Sequence, residues 1–155
     1  IQLNNINGLV TPFPIALSDE SKIDLLYLPS LEIGGSGNSA GEDTDWLLQK
    51  RTSEIKQGTV ITTIDRLIGE GVIEPPEHIK MDVDGIEHFI LQSGPAVLSQ
   101  VEGILVEIND DFTEQAEQSR KSLEQAGLSF QEKRHSEMFE GTKFSNLYNQ
   151  IWARK

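Results

Sequence analysis

One stretch, residues 79–110, restricts the fold more than any other part of the chain. It opens with "IKMDVD", a short apolar run closed by Asp82 and Asp84. "GIEHFILQSG" follows, with Ile86, Phe89 and Ile90 at helical spacing and Gly94 as a stop. "GILVEIND" is a second apolar run that carries Glu107, Asn109 and Asp110 at its end. Strand, helix and strand at this spacing predict a right-handed crossover unit with two parallel neighbouring strands. In such sheets ligands sit beyond the carboxyl ends of the strands. The acidic groups therefore stand on the rim where a site belongs.

The rest of the chain repeats the alternation. Residues 10–17 read as a short strand, with Pro12 and Pro14 pointing to an edge or irregular position. Residues 23–28 read as a second strand. Residues 30–45 are rich in Gly and Ser and read as a mobile loop; they lack G-x-G-x-x-G spacing. Residues 59–63 predict a β-branched strand, followed by a short helix from about Asp65. Asp111 or Thr113 is placed to cap a helix that ends at Gly127. "SFQEKRH" and "SNLYNQIWARK" close the chain as two late strands. No internal repeat is visible. The 155 residues suffice for one α/β domain, its parallel sheet covered on both faces.

Charge narrows the partners. Lys and Arg number 13 against 25 Asp and Glu, a formal charge of -12. Phosphates repel such a surface, which argues against nucleic acid or an anionic membrane. No apolar run approaches the ~20 residues of a membrane span, and no signal peptide is visible. Cysteine is absent, which removes disulfides and thiolate chemistry and fits a reducing, cytoplasmic compartment. The first residue is Ile rather than Met, which fits a piece of a longer chain.

The segments "TTIDRLI", "IKMDVDGIEHFILQSG" and "GILVEIND" together resemble the FkbM family of S-adenosylmethionine-dependent methyltransferases. That family shows T-L-D-x-L, then K-x-D-V-E-G-x-E-x-x-x-L-x-G, then an I-L-x-E strand. "LNNINGLVTPFPIALSDES" is similar to the family's N-terminal region, which ends in A-L-S-D. The resemblance implies a Rossmann-like class I methyltransferase sheet of order 3-2-1-4-5-7-6, mostly parallel with a late antiparallel strand. It implies S-adenosylmethionine as cofactor and methylation of a hydroxyl on a sugar, lipid-linked or secondary-metabolite acceptor. Asp84 stands where the family has Glu. The family's D-x-G-A-x-x-G cofactor loop does not occur among the 155 residues. By the resemblance, the chain matches the C-terminal two-thirds of the domain. Two further expectations come with that alignment. Strand 4 has a long apolar edge through which the chain self-associates, and cofactor binding by this chain is weak.

For single residues, a chemical role stands beside a structural one. Asp82 positions the acceptor or the cationic sulfonium; otherwise it caps the helix beginning near Gly85. Glu107 is costly if buried unpaired inside "ILVEI", so a site rim explains it better than a core position. Either is suited to be the base that takes a hydroxyl proton. Ala16, Leu17 and Ser18 match A-L-S-D, which by the resemblance lies near the adenine ring; as plain sequence they end a strand. Asp84, Gly85 and Glu87 contact substrate or shape the helix start. Lys80 pairs with an acid. His88 faces solvent, His78 and His135 are surface residues, and Trp46 and Trp152 pack. No metal ligands are assigned. The rival readings are a Mg²⁺-dependent phosphatase of haloacid-dehalogenase type, a D-x-D sugar-nucleotide transferase, or a truncated binding domain.

Overall fold

The computed structural model describes residues 2–33, 35–135 and 137–154. Its N-terminal half supplies four strands: β1 (Ile15–Leu17), β2 (Lys22–Leu28), β3 (Ser39–Ala40) and β4 (Ile55–Thr62). They form one sheet of order β1-β4-β2-β3. β1 runs parallel to β4, with Ile15 opposite Val60 and Leu17 opposite Thr62. β2 runs antiparallel to β4 along its whole length, from Lys22 opposite Ile61 to Leu28 opposite Ile55. β1 starts only after Pro14, whose missing N–H cannot join a ladder, and lies at the sheet edge.

The C-terminal half builds a second sheet from β5 (His78–Met81), β6 (Gly103–Asn109), β7 (Leu128–Arg134) and β8 (Leu147–Arg154). Its order is β5-β6-β8-β7. β5 and β6 are parallel, from His78 opposite Gly103 to Met81 opposite Val106. β8 is antiparallel to both of its neighbours. Four helices accompany the strands: α1 (Ile64–Gly69), α2 (Glu87–Gln92), α3 (Pro95–Leu98) and α4 (Thr113–Gln125). None is long and apolar enough to cross a membrane.

The core belongs to the second sheet. Ile104, Val106 and Ile108 alternate along β6 and are buried. They join one cluster with Ile90 and Leu91 of α2, Val97 and Leu98 of α3, Leu123 of α4 and Trp152 of β8. Burial of each such side chain stabilises by roughly 1.5–3 kcal/mol. One carboxylate and one hydroxyl fix the helix ends around this core. Thr63 caps α1 by accepting the Arg66 N–H at 3.2 Å. Asp65 of α1 accepts the Ala96 and Val97 N–H groups of α3, both at 2.9 Å.

Four expectations change here. The sheets are mixed rather than mostly parallel, because a parallel neighbour needs a crossover of a dozen or more residues. Only β1 to β4 and β5 to β6 are paired in that way. The first sheet is not covered on both faces: Ile23 is 86% exposed and its register partner Val60 47%. Among the described residues no helix lies between β1 and β4 to cover it. The cap expected from Asp111 or Thr113 is not formed either. The Asp111 carboxylate instead accepts the Asn146 side-chain amide at 2.9 Å. Finally, the β5 edge is four residues long and exposes His78 and Lys80, so it is neither long nor wholly apolar.

Candidate functional site

Met81 and Val106 are the last register partners of β5 and β6, so Asp82 and Glu107 follow at the carboxyl ends of adjacent parallel strands. The two differ in environment. Asp82 is exposed and forms an ion pair with Lys80 at 2.6 Å, the acid partner expected for that lysine. Glu107 is half-buried and alternates with the core residues Val106 and Ile108. Burial pushes its pKa up to about 7, the charges of Asp82, Glu87 and Asp84 add to the rise, and Lys80 opposes it. Its carboxyl therefore exchanges its proton near neutral pH, the range a general base needs.

The turn after Asp82 is held by tight backbone geometry. Asp84 and Gly85 both have positive φ, 59° and 108°. A Cβ on Gly85 would stand 2.6 Å from the Trp46 carbonyl oxygen, so only glycine fits. Asp84 accepts the Gly37 N–H at 3.0 Å, tying the glycine-rich loop to this turn. Glu87 is 1% exposed and accepts the Val83 and Gly85 N–H groups, each at 3.1 Å. Gln115 donates a third hydrogen bond to it at 2.5 Å. Burial raises the pKa of Glu87 against these donors, which favour the carboxylate. Its oxygens are engaged within the fold, so the structural role predicted for it as one of two is the role the geometry supports.

His88 does not face solvent. It is fully buried, with its ring 4.0 Å from that of Phe89 and 5.6 Å from that of Phe112. The six-residue helix α2 is buried on both flanks, against β6 and against α4, so a position one step off its apolar stripe is also enclosed. Neither ring nitrogen has a described partner, and burial lowers the pKa, with Glu114 and Asp19 opposing. His78 is exposed, whereas His135 is half-buried with its ring 5.1 Å from that of Tyr148. Trp152 packs in the core as expected.

Three cavities meet at Asp84. The largest, ≈ 380 Å³, brings Ala16 and Leu17 of β1 against Val83, Asp84 and Ile86, and its lining is mainly apolar. A small one, ≈ 20 Å³, is lined by Glu107, Gly85, Glu87, Trp46 and Asp84. The third, ≈ 260 Å³, holds Arg51, Lys143 and Trp46. Ser18 lines a separate cavity of ≈ 320 Å³, together with Glu20 and Lys22. Asp82 lines none of these four. Trp46, Arg51 and Lys143 were not expected at a site. Their approach depends on residues 36–53 and the segment before β8 meeting at the β5–α2 turn, and no local pattern announces it.

The largest cavity offers mainly apolar walls to a ligand. The amino-acid end of S-adenosylmethionine needs N–H donors from a tight glycine turn. In the described residues the Gly37 N–H is already given to Asp84. Toward that cofactor the described residues offer apolar walls alone. Among the described residues no three His, Asp or Glu side chains are grouped to hold a metal ion. Compared with known proteins, the chain matches no family model, no curated protein and no solved structure.

Proposed function

We propose that this α/β domain transfers a methyl group from S-adenosylmethionine to a hydroxyl of a small-molecule or glycan acceptor, in the manner of the FkbM-like enzymes that its motifs resemble. The observation that carries the reading is the acidic pair Asp82 and Glu107 at the carboxyl ends of β5 and β6, within a sheet of order β5-β6-β8-β7. That order, with an antiparallel β8, corresponds to the 4-5-7-6 half expected of a class I methyltransferase sheet.

The cofactor supplies an electrophilic methyl group on a sulfonium. The chain's residues do the rest. Glu107, with a pKa near 7, accepts the hydroxyl proton as the acceptor oxygen attacks. Asp82, at the end of the neighbouring strand, would contribute a negative charge that a cationic cofactor favours. Ala16, Leu17 and Ile86 offer apolar walls to a planar ring. The test is transfer of a labelled methyl group from S-adenosylmethionine to hydroxyl acceptors. The product of the whole gene is assayed, with the 155-residue chain beside it. Transfer that falls about a hundredfold in Glu107→Gln, within the range of general-base contributions, supports the reading. Absence of transfer by the whole product to every hydroxyl acceptor overturns it.

A further inference from the structure

We infer that the cleft between Trp46, Arg51 and Lys143 binds a sugar that carries an anionic group, the acceptor class for the site proposed above. The inference rests on that reading for its catalytic meaning but not for the binding itself.

The cleft measures ≈ 260 Å³. That lies below the ~300–1,000 Å³ of pockets for drug-sized ligands, so the occupant is of about monosaccharide size. Its charge balance is unusual for this chain. The lining holds two cations, Arg51 and Lys143, against two carboxylates, Asp45 and Asp84, in a protein of net charge -12.

The cations are not equivalent. Arg51 is engaged: its Nε donates to Asp43 at 2.8 Å and its Nη2 to Ser39 at 3.2 Å. Lys143 forms no ion pair among the described residues. Its ammonium lies 4.2 Å from the centre of the Trp46 ring and 5.0 Å from that of Phe144. Two aromatic rings thus hold at the cleft a cation that has no ion-pair partner among the described residues. A ligand anion meets a charge already in position, which reduces the entropy lost on binding.

The carboxylates suit hydroxyl groups. Asp45 receives the Leu47 and Gln49 N–H groups on one oxygen, both at 2.9 Å. Asp84 receives Gly37 on one oxygen. Each keeps a second oxygen without a described hydrogen bond. Hydroxyl acceptors beside a fixed cation describe a polyol with one negative group. Asp84 also borders the cavities that hold Ala16 and Glu107, so such a sugar would sit next to the proposed base.

The test is isothermal titration of the protein, without cofactor, with D-glucuronate, glucose 6-phosphate and D-glucose. The expected result is saturable binding of an anionic sugar about tenfold or more tighter than glucose, the worth of one charge-assisted hydrogen bond. Lys143→Gln should abolish that preference while leaving the thermal midpoint unchanged, because Lys143 is exposed. The tighter of the two anions identifies the charged group. Equal binding of all three sugars, no saturable binding, or an unaltered preference in Lys143→Gln overturns the inference. Sugar binding without methyl transfer would instead leave the cleft standing and remove the enzymatic reading.

Discussion

The Gln115 side-chain amide donates to the buried Glu87 carboxylate at 2.5 Å, while its oxygen accepts the Asn109 N–H at 2.9 Å. One side chain on α4 thereby ties α2 and the end of β6 together beneath the β5–α2 turn. Gln115 is itself 2% exposed, so water is a poor substitute for either bond. Gln115→Ala leaves a buried carboxylate short of a donor and a buried N–H without an acceptor. The expected loss is about 2–4 kcal/mol of unfolding free energy. Gln115→Glu should be worse, since it sets two carboxylates against each other. Urea denaturation decides, and a loss in Gln115→Ala below about 0.5 kcal/mol, the level of an ordinary surface change, would show that the bracket is not structural.

Gly85 is constrained twice, by its φ of 108° and by the Trp46 carbonyl 2.6 Å from where a Cβ would stand. The obstacle is backbone and does not move aside as a flexible side chain would. Gly85→Ala should cost about 2 kcal/mol or more and loosen the loop that carries Trp46. Gly69→Ala is the control, because nothing lies within 4 Å of its added methyl. It should be neutral or stabilise by about 0.5–1 kcal/mol, as expected within a helix. Equal midpoints for the two variants would remove the close approach from the account.

His88 and Glu107 give opposite pH dependences. Burial lowers the His88 pKa below its ordinary 6.5, so the unfolded chain takes up that proton first. Its contribution is present above pH 6.5 and is lost as pH falls through and below that value. Burial raises Glu107 from 4.5 to about 7. Its contribution is full below 4.5 and is lost as pH rises through about 7. Compared with the unsubstituted protein, Glu107→Gln should therefore lose less stability as pH rises toward neutral. His88→Leu should lose less as pH falls toward acid. Denaturation midpoints between about pH 5 and 8 test this, and two variants whose differences from the unsubstituted protein tilt the same way would refute it.

The β5–α2–β6 unit was legible because its information is local. Apolar periodicity, Gly94 and the flanking acids specify strand, helix and strand within 32 residues of one another in sequence, and the parallel register follows from the crossover. The first sheet was less legible. β1 finds β4 across 37 intervening positions, and neither strand records its partner in its own pattern. His88 was misplaced for a related reason. A polar residue off the apolar stripe reads as exposed, but α2 is enclosed by α4 as well as by β6. The role of Glu87 was left between two readings because an acid in a first turn is stabilised there in solvent or in the interior alike. Its burial depends on Gln115, which is 28 residues away.

Asp82 separates chemistry from stability most clearly. Its carboxylate is exposed and its ion pair with Lys80 is a surface one. Such pairs contribute about 0–1 kcal/mol, so Asp82→Asn should leave the thermal midpoint nearly unchanged. Its charge is nonetheless the second cause, after burial, of the raised pKa of Glu107. Removing that charge should lower the Glu107 pKa from about 7 toward its ordinary 4.5. In the proposed reaction the lower pKa makes Glu107 a weaker base, and the negative charge near the sulfonium is lost as well. Methyl transfer should fall by a factor of about ten or more, and the acid limb of its pH profile should move to lower pH. Carboxyl titration followed by NMR, thermal unfolding and turnover are measured on the same variant. An unshifted Glu107 titration would show that the two carboxylates do not sense each other, and the pairing at the ends of β5 and β6 would lose its chemical meaning.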